Sequence, residues 1–127
     1  MKKSVILILI AVTFFTCKKT EQTSFANGKW KLIERYNDPG GGGSWYPVPD
    51  SLSYFYELNN DYTYSKSGNY ASTGTYSYEI LNNGFFMLIF NHQNTKDSIT
   101  SRFDENQNLI MIYECIEGCF EKFKKIN

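Results

Sequence analysis

Aromatic side chains and a single carboxylate supply most of the chemistry that this chain can offer. Strand alternation puts Trp30, Leu32, Glu34 and Tyr36 on one face of a first strand, and Tyr54, Tyr56 and Leu58 on one face of a second. Tyr76 and Tyr78 share a face with Ile80, as do Phe86, Leu88 and Phe90. Such aromatic walls suit a small apolar or amphipathic ligand, with tyrosine hydroxyls and Glu34 as the few polar handles. The candidate ligand contacts are therefore Glu34, Tyr36, Trp45, Tyr54, Tyr56, Tyr76 and Tyr78. The same rings equally suit a plain core, because an eight-stranded barrel is just wide enough for side chains to fill it. In that case Glu34 is a solvated rim charge.

Catalytic patterns are missing from the sequence. It contains no Gly-x-Ser-x-Gly elbow and no His-Glu-x-x-His, and the run Gly40 to Gly43 lacks the Lys-Ser/Thr that would follow in a phosphate loop. Asp104 and Glu105 are neighbours at a strand end, where adjacent residues point to opposite faces, so they are poor acid/base partners. His92 is the only histidine and is expected on the surface at a strand end, so it cannot join Cys115 and Cys119 in a zinc set. We expect no enzyme, no cofactor and no metal. Cys115 and Cys119 flank Ile-Glu-Gly, so a hairpin there would make them cross-strand neighbours within disulfide range. Closing so short a loop stabilises by about 2 kcal/mol, which points to a structural bridge. A redox role would more usually take Cys-x-x-Cys.

The elements that must position these residues are short strands. From Gly28 onward, apolar and aromatic runs alternate with Gly, Asn, Asp and Ser at roughly the 8 to 12 residue spacing of an antiparallel barrel or sandwich. The expected strands cover 29–36, 52–58, 62–67, 73–81, 85–91, 98–104, 109–115 and 119–126. The turn signals between them are Asn59-Asn60-Asp61, Ser67-Gly68-Asn69, Asn82-Asn83-Gly84, Asn94-Thr95, Asn106-Gln107-Asn108 and Glu117-Gly118. Eight strands on short links favour an all-β, antiparallel up-and-down barrel, whose closure also removes exposed edges. A sandwich would need long crossovers, and only one long connection exists, from Asp38 to Asp50. Its four glycines make a hinge, whereas Trp45, Tyr46, Pro47 and Pro49 make a stiffer apolar tip. That tip suits either a lid or a loop tucked onto the barrel's side.

The first residues read as an address. Met1-Lys2-Lys3 precedes an apolar run from Val5 to Phe15 broken only by Thr13, the n- and h-regions of a secretory signal. As a helix this run spans only about 16 Å, against about 30 Å for a bilayer core, so a permanent transmembrane helix is disfavoured. The run ends at Phe14-Phe15-Thr16-Cys17, which resembles the lipobox cut by a lipoprotein signal peptidase before a diacylglyceryl-modified cysteine. We expect residues 1–16 to be the signal peptide, Cys17 the lipid-bearing residue, 17–26 a tether and 27–127 the barrel domain. The alternative is a secreted protein with an incidental cysteine. Several acyl chains on Cys17 would make membrane attachment effectively permanent, and Lys18 and Lys19 would sit beside anionic headgroups. The tether lacks the acidic run of surface-exported lipoproteins, which favours an outer-membrane anchor facing the periplasm. Export would also place Cys115 and Cys119 in a disulfide-permissive compartment.

The whole chain carries 13 Lys plus Arg and 13 Asp plus Glu. Losing 16 of its 127 residues, Lys2 and Lys3 among them, leaves 111 residues with a net charge of about −2. That balance, with no clustered basic footprint, argues against nucleic acid as a partner.

Residues 27–127 resemble the small lipocalin-like domain lipoproteins of Bacteroidetes-type bacteria. The likeness is carried by Gly28-Lys29-Trp30, by Asp38-Pro39-Gly40 leading to Trp45, and by the closing stretch from Cys115 through Cys119 to Lys124. The resemblance implies an eight-stranded barrel with a mouth pocket under the first loop. It also implies that the tryptophan, here Trp30, plugs the closed end beneath an arginine of the last strand. Here the last strand offers Lys122, Lys124 and Lys125 instead, so Gly28 and Trp30 are expected to be structural, with a differently built plug. The expected function is lipid-anchored binding of a small hydrophobic or amphipathic molecule. The competing class is a protein-interaction or structural envelope module that presents Trp45, Tyr46 and neighbouring loops to a protein partner.

Overall fold

Most strands after Gly28 carry their apolar residues on one face, and closing the sheet on itself buries those faces together. A computed structural model describes residues 25–115 and 118–127. The expected signal peptide, Cys17, residues 18–24 of the tether, and Ile116 and Glu117 lie outside the described residues. The described residues form nine strands: β1 (Gly28–Asn37), β2 (Ser44–Pro47), β3 (Phe55–Leu58), β4 (Thr63–Lys66), β5 (Ser72–Ile80), β6 (Phe85–His92), β7 (Thr95–Phe103), β8 (Leu109–Tyr113) and β9 (Cys119–Ile126). From β3 onward each strand pairs antiparallel with the next, β1 pairs with β3, and β9 returns to pair with β1. The result is a closed eight-stranded up-and-down barrel. Cys115 and Cys119 form a disulfide at the β8–β9 hairpin, with Cα atoms 5.9 Å apart.

Turn chemistry sets the register. Gln93 and Asn94 both take positive φ, at 42° and 66°, as do Asn83 and Gly84 at 60° and 79°. This is the tight-hairpin geometry that matches strand twist. Because only two residues link β6 to β7, β7 begins at Thr95 rather than at the expected Ser98, and His92 faces Thr95. The second expected strand instead starts late, at Phe55. Asp50–Leu52 winds into a 3-10 turn, held by an ion pair from Lys31 to Asp50 at 2.6 Å and by the Ser53 hydroxyl donating to the Leu32 carbonyl.

The long connection holds the ninth strand. β3 covers only residues 28–31 of β1, leaving the edge of 34–37 open, and β2 fills it, with Tyr36 opposite Trp45. Pro47 is tolerated because β2 is itself an edge. Trp45 packs on the outer wall against Tyr36 and Phe120, with ring centroids 5.4 and 6.4 Å away, and the Lys122 ammonium lies over its ring at 4.2 Å. Of the two expectations for this tip, the tucked loop is the arrangement present. The glycine run is tied down as well, with Asp38 Oδ1 accepting from the Gly40 and Gly42 amides and the Gly43 amide donating to the Tyr36 hydroxyl.

The lumen is filled by side chains over most of its length. Leu32, Tyr56, Leu58, Tyr64, Tyr76, Leu88, Phe90, Met111 and Phe123 are all buried. Gly74 makes room for this packing, since a Cβ there would stand 2.0 Å from the Asn91 carbonyl oxygen. One end is sealed. Trp30 is 2% exposed and its indole N–H donates to the Ala26 carbonyl at 2.8 Å, while Phe25 meets Tyr78 and Phe86 edge to face. Lys125 lies over the Trp30 ring at 5.6 Å. Phe25, the first described residue, thus stands at this closed end, opposite the mouth.

A bulge decides what faces the mouth. Leu32 pairs with Phe123 but Glu34 pairs with Lys122, so Ile33 is an extra residue on β1. Beyond a bulge, side chains exchange faces. Unbroken alternation would keep Glu34 and Tyr36 on the inner face with Trp30 and Leu32, and the structure corrects that expectation. Both turn to the outer wall, where Glu34 pairs with Lys122 and Tyr36 stacks on Phe120 with centroids 5.0 Å apart. Arg35 takes the inner face instead, opposite Glu121.

Candidate functional site

The mouth end of the barrel is polar because four strands each deliver one polar or charged residue just above the aromatic core. β1 brings Arg35 after its bulge, β4 ends on Lys66, β8 ends on Tyr113, and β9 supplies Glu121 two residues before the buried Phe123. Tyr54, just before β3, completes the set. Tyr54 and Tyr113 both donate their hydroxyls to Glu121 Oε2, the latter at 2.8 Å, and Arg35 Nε donates to Glu121 Oε1 at 2.9 Å. The Glu121 side chain is only 15% exposed, so this carboxylate ties β1, β8 and β9 to the segment entering β3 in a partly dry setting where charge-assisted hydrogen bonds are strong.

Above this network lies an open recess of about 780 Å³, lined by Arg35, Tyr54, Lys66, Tyr113 and Glu121, with Leu52 and Tyr70 at its rim. A second recess of about 320 Å³ continues past Lys66 and Tyr70 toward His92 and Asp97. Leu52 and Tyr70 are 62% and 84% exposed, an apolar frame around a charged floor. His92 faces Asp97 at 3.8 Å and bonds Thr95. Among the described residues no cluster of His, Cys, Asp and Glu could hold a metal ion.

The sequence-derived candidates divide between several places. Tyr54 lines the large recess, and Tyr36 contributes to its outer edge. Tyr56 and Tyr76 lie within the packed core, the former touching only the smaller recess. Tyr78 sits at the closed end against Phe25. Glu34 and Trp45 are on the outer wall. Sequence reasoning did not single out Arg35, Lys66, Tyr113 or Glu121 for the site. Lys66 and Glu121 were within reach, since each stands two residues from a buried ring, Tyr64 and Phe123, and so shares its inner face. Arg35 was not, because its orientation depends on the bulge.

Burial first, then the Glu121 carboxylate, pushes the Tyr54 and Tyr56 phenols well above their usual 10. For Tyr113 burial again leads, followed by Tyr56, Tyr54 and Glu121. Because folding raises these values, the stabilisation from the neutral phenols is intact below pH 10 and is lost as pH climbs toward the folded values. Following phenolate absorbance across an alkaline titration, we expect Tyr54, Tyr56 and Tyr113 to ionise only as the barrel unfolds. Ten phenols titrating reversibly in a folded chain would contradict this burial.

No protein-family model, curated protein or solved structure gives a significant match to this chain. The fold and the mouth therefore carry the functional reading.

Proposed function

We propose that this chain is a lipid-anchored, lipocalin-like domain of a bacterial cell envelope that binds a small amphipathic molecule at the barrel mouth. The observation that carries the reading is the open recess of about 780 Å³ whose floor combines tyrosine rings with a fixed Arg35–Glu121 pair. Few, oriented polar groups over an apolar base are the usual make-up of a small-molecule site. The anchor reading rests on the signal-like residues 1–16 and on Cys17. In it the domain hangs from the outer membrane on the periplasmic side. Since Phe25 stands at the closed end, a short tether leaves the mouth free to face away from the lipid.

The competing interaction module has weaker support, because of its two aromatic handles Trp45 is packed against Tyr36 and Phe120 and Tyr46 alone is exposed. Native mass spectrometry of the full chain isolated from envelope membranes tests the ligand reading. We expect a co-purifying molecule of a few hundred daltons, or a thermal shift with small amphiphiles that Tyr54→Ala removes. A ligand-free chain with no thermal shift in a panel of apolar acids, alcohols and amines would overturn it.

A further inference from the structure

Lys66 stands in the wall between the two recesses, cross-strand from Tyr56 and on the inner face of β4. Its ammonium lies 4.9 Å from the Tyr54 ring centroid and 5.3 Å from that of Tyr56. Among the described residues it meets no carboxylate within ion-pair distance and no hydrogen-bond acceptor. The other cation lining the large recess, Arg35, is paired with Glu121, while the Asp97 carboxylate is mostly exposed beside His92. The Lys66 ammonium, one of the polar groups lining both open recesses, keeps its three donors available to an incoming acceptor. Burial lowers its pKa, against the longer-range pull of Glu121 and Asp97.

Two further observations narrow the ligand. Tyrosine faces alone would attract a cationic head group, but here Lys66 already occupies the faces of Tyr54 and Tyr56, so a second cation would be repelled. The lumen beneath is filled by Tyr56, Phe90 and Phe123, so a long chain has nowhere to insert. Resting on the reading of the mouth as a ligand site, we propose that it recognises small monoanions, carboxylates with a compact aromatic or apolar body. The Lys66 ammonium donates to the carboxylate oxygen, and the body lies across the mouth against Tyr54, Leu52 and Tyr70. A single uncommitted cation matches a single negative charge.

The test uses three probes with one body: 4-phenylbutyrate, 4-phenylbutan-1-ol and trimethyl(4-phenylbutyl)ammonium. Each is titrated calorimetrically into the full chain in lipid nanodiscs, with protein-free nanodiscs as the blank. Hydrogen bonding to a charged donor predicts that the acid binds roughly tenfold or more tighter than the alcohol, with the ammonium weakest. Lys66→Gln should bring the acid down to the alcohol's affinity, and Lys66→Arg should keep the preference, which separates lost charge from lost fold. Equal binding of acid and alcohol, or a preference that survives Lys66→Gln, would overturn the anion assignment and leave the mouth site standing. Absence of binding by all three would overturn both.

Discussion

Truncating Phe123 to alanine is expected to lower the stability of the barrel by about 3–5 kcal/mol. The ring is fully buried and lies between Leu32 of β1 and Leu109 of β8 in the strand register. It also meets Tyr54 and Tyr56 edge to face, with centroids 5.6 Å away in both cases. A closed barrel cannot collapse far onto such a void, because each strand is held by hydrogen bonds on both sides, so most of the cavity would persist. The substitution also removes the floor on which Tyr54 rests and would open the mouth into the lumen. Urea denaturation measures the loss. A cost below about 1 kcal/mol would mean that the lumen is not packed as described.

Glu121→Ala is expected to cost about 2–4 kcal/mol. It leaves the Tyr54 and Tyr113 hydroxyls without their acceptor, and an unsatisfied buried hydroxyl costs about 1–3 kcal/mol. Arg35 adds little, since its side chain is 47% exposed and water screens its charge. Glu121→Gln keeps an acceptor oxygen and should recover at least half of the loss, while Arg35→Met should cost less than about 1 kcal/mol. If Glu121→Ala denatured at the same urea concentration as the natural chain, the carboxylate would not be the tie between these strands.

The barrel was legible from residues 27–127 because its two signals are local. Turn residues such as Asn83-Gly84 mark where the chain must reverse, and alternation around Tyr56, Tyr76, Leu88 and Phe123 marks which face is buried. The mouth was not, because one bulge reverses the meaning of alternation along the second half of β1. The only trace of that bulge in the sequence is the adjacent pair Leu32-Ile33, two apolar residues where period two allows one. A matching conflict occurs on the last strand, where Phe120 and Phe123 have opposite parity, so both cannot be core. Phe120 instead meets Tyr36 on the outer wall. The four-residue β2 was hidden for a different reason: a glycine run precedes it and Pro47 ends it, and it fills the edge of β1 that β3 leaves open beyond residue 33.

Photolabelling asks most directly whether the mouth holds a ligand. The full chain in nanodiscs would be irradiated with 4-benzoylbenzoate and its peptides mapped by mass spectrometry. Label is expected on the segments carrying Leu52, Tyr54, Tyr70 and Tyr113, displaced by excess 4-phenylbutyrate and lost in Lys66→Gln. Label confined to the closed end around Phe25, Phe103 and Lys125, or spread evenly over the outer wall, would contradict a binding site at the mouth.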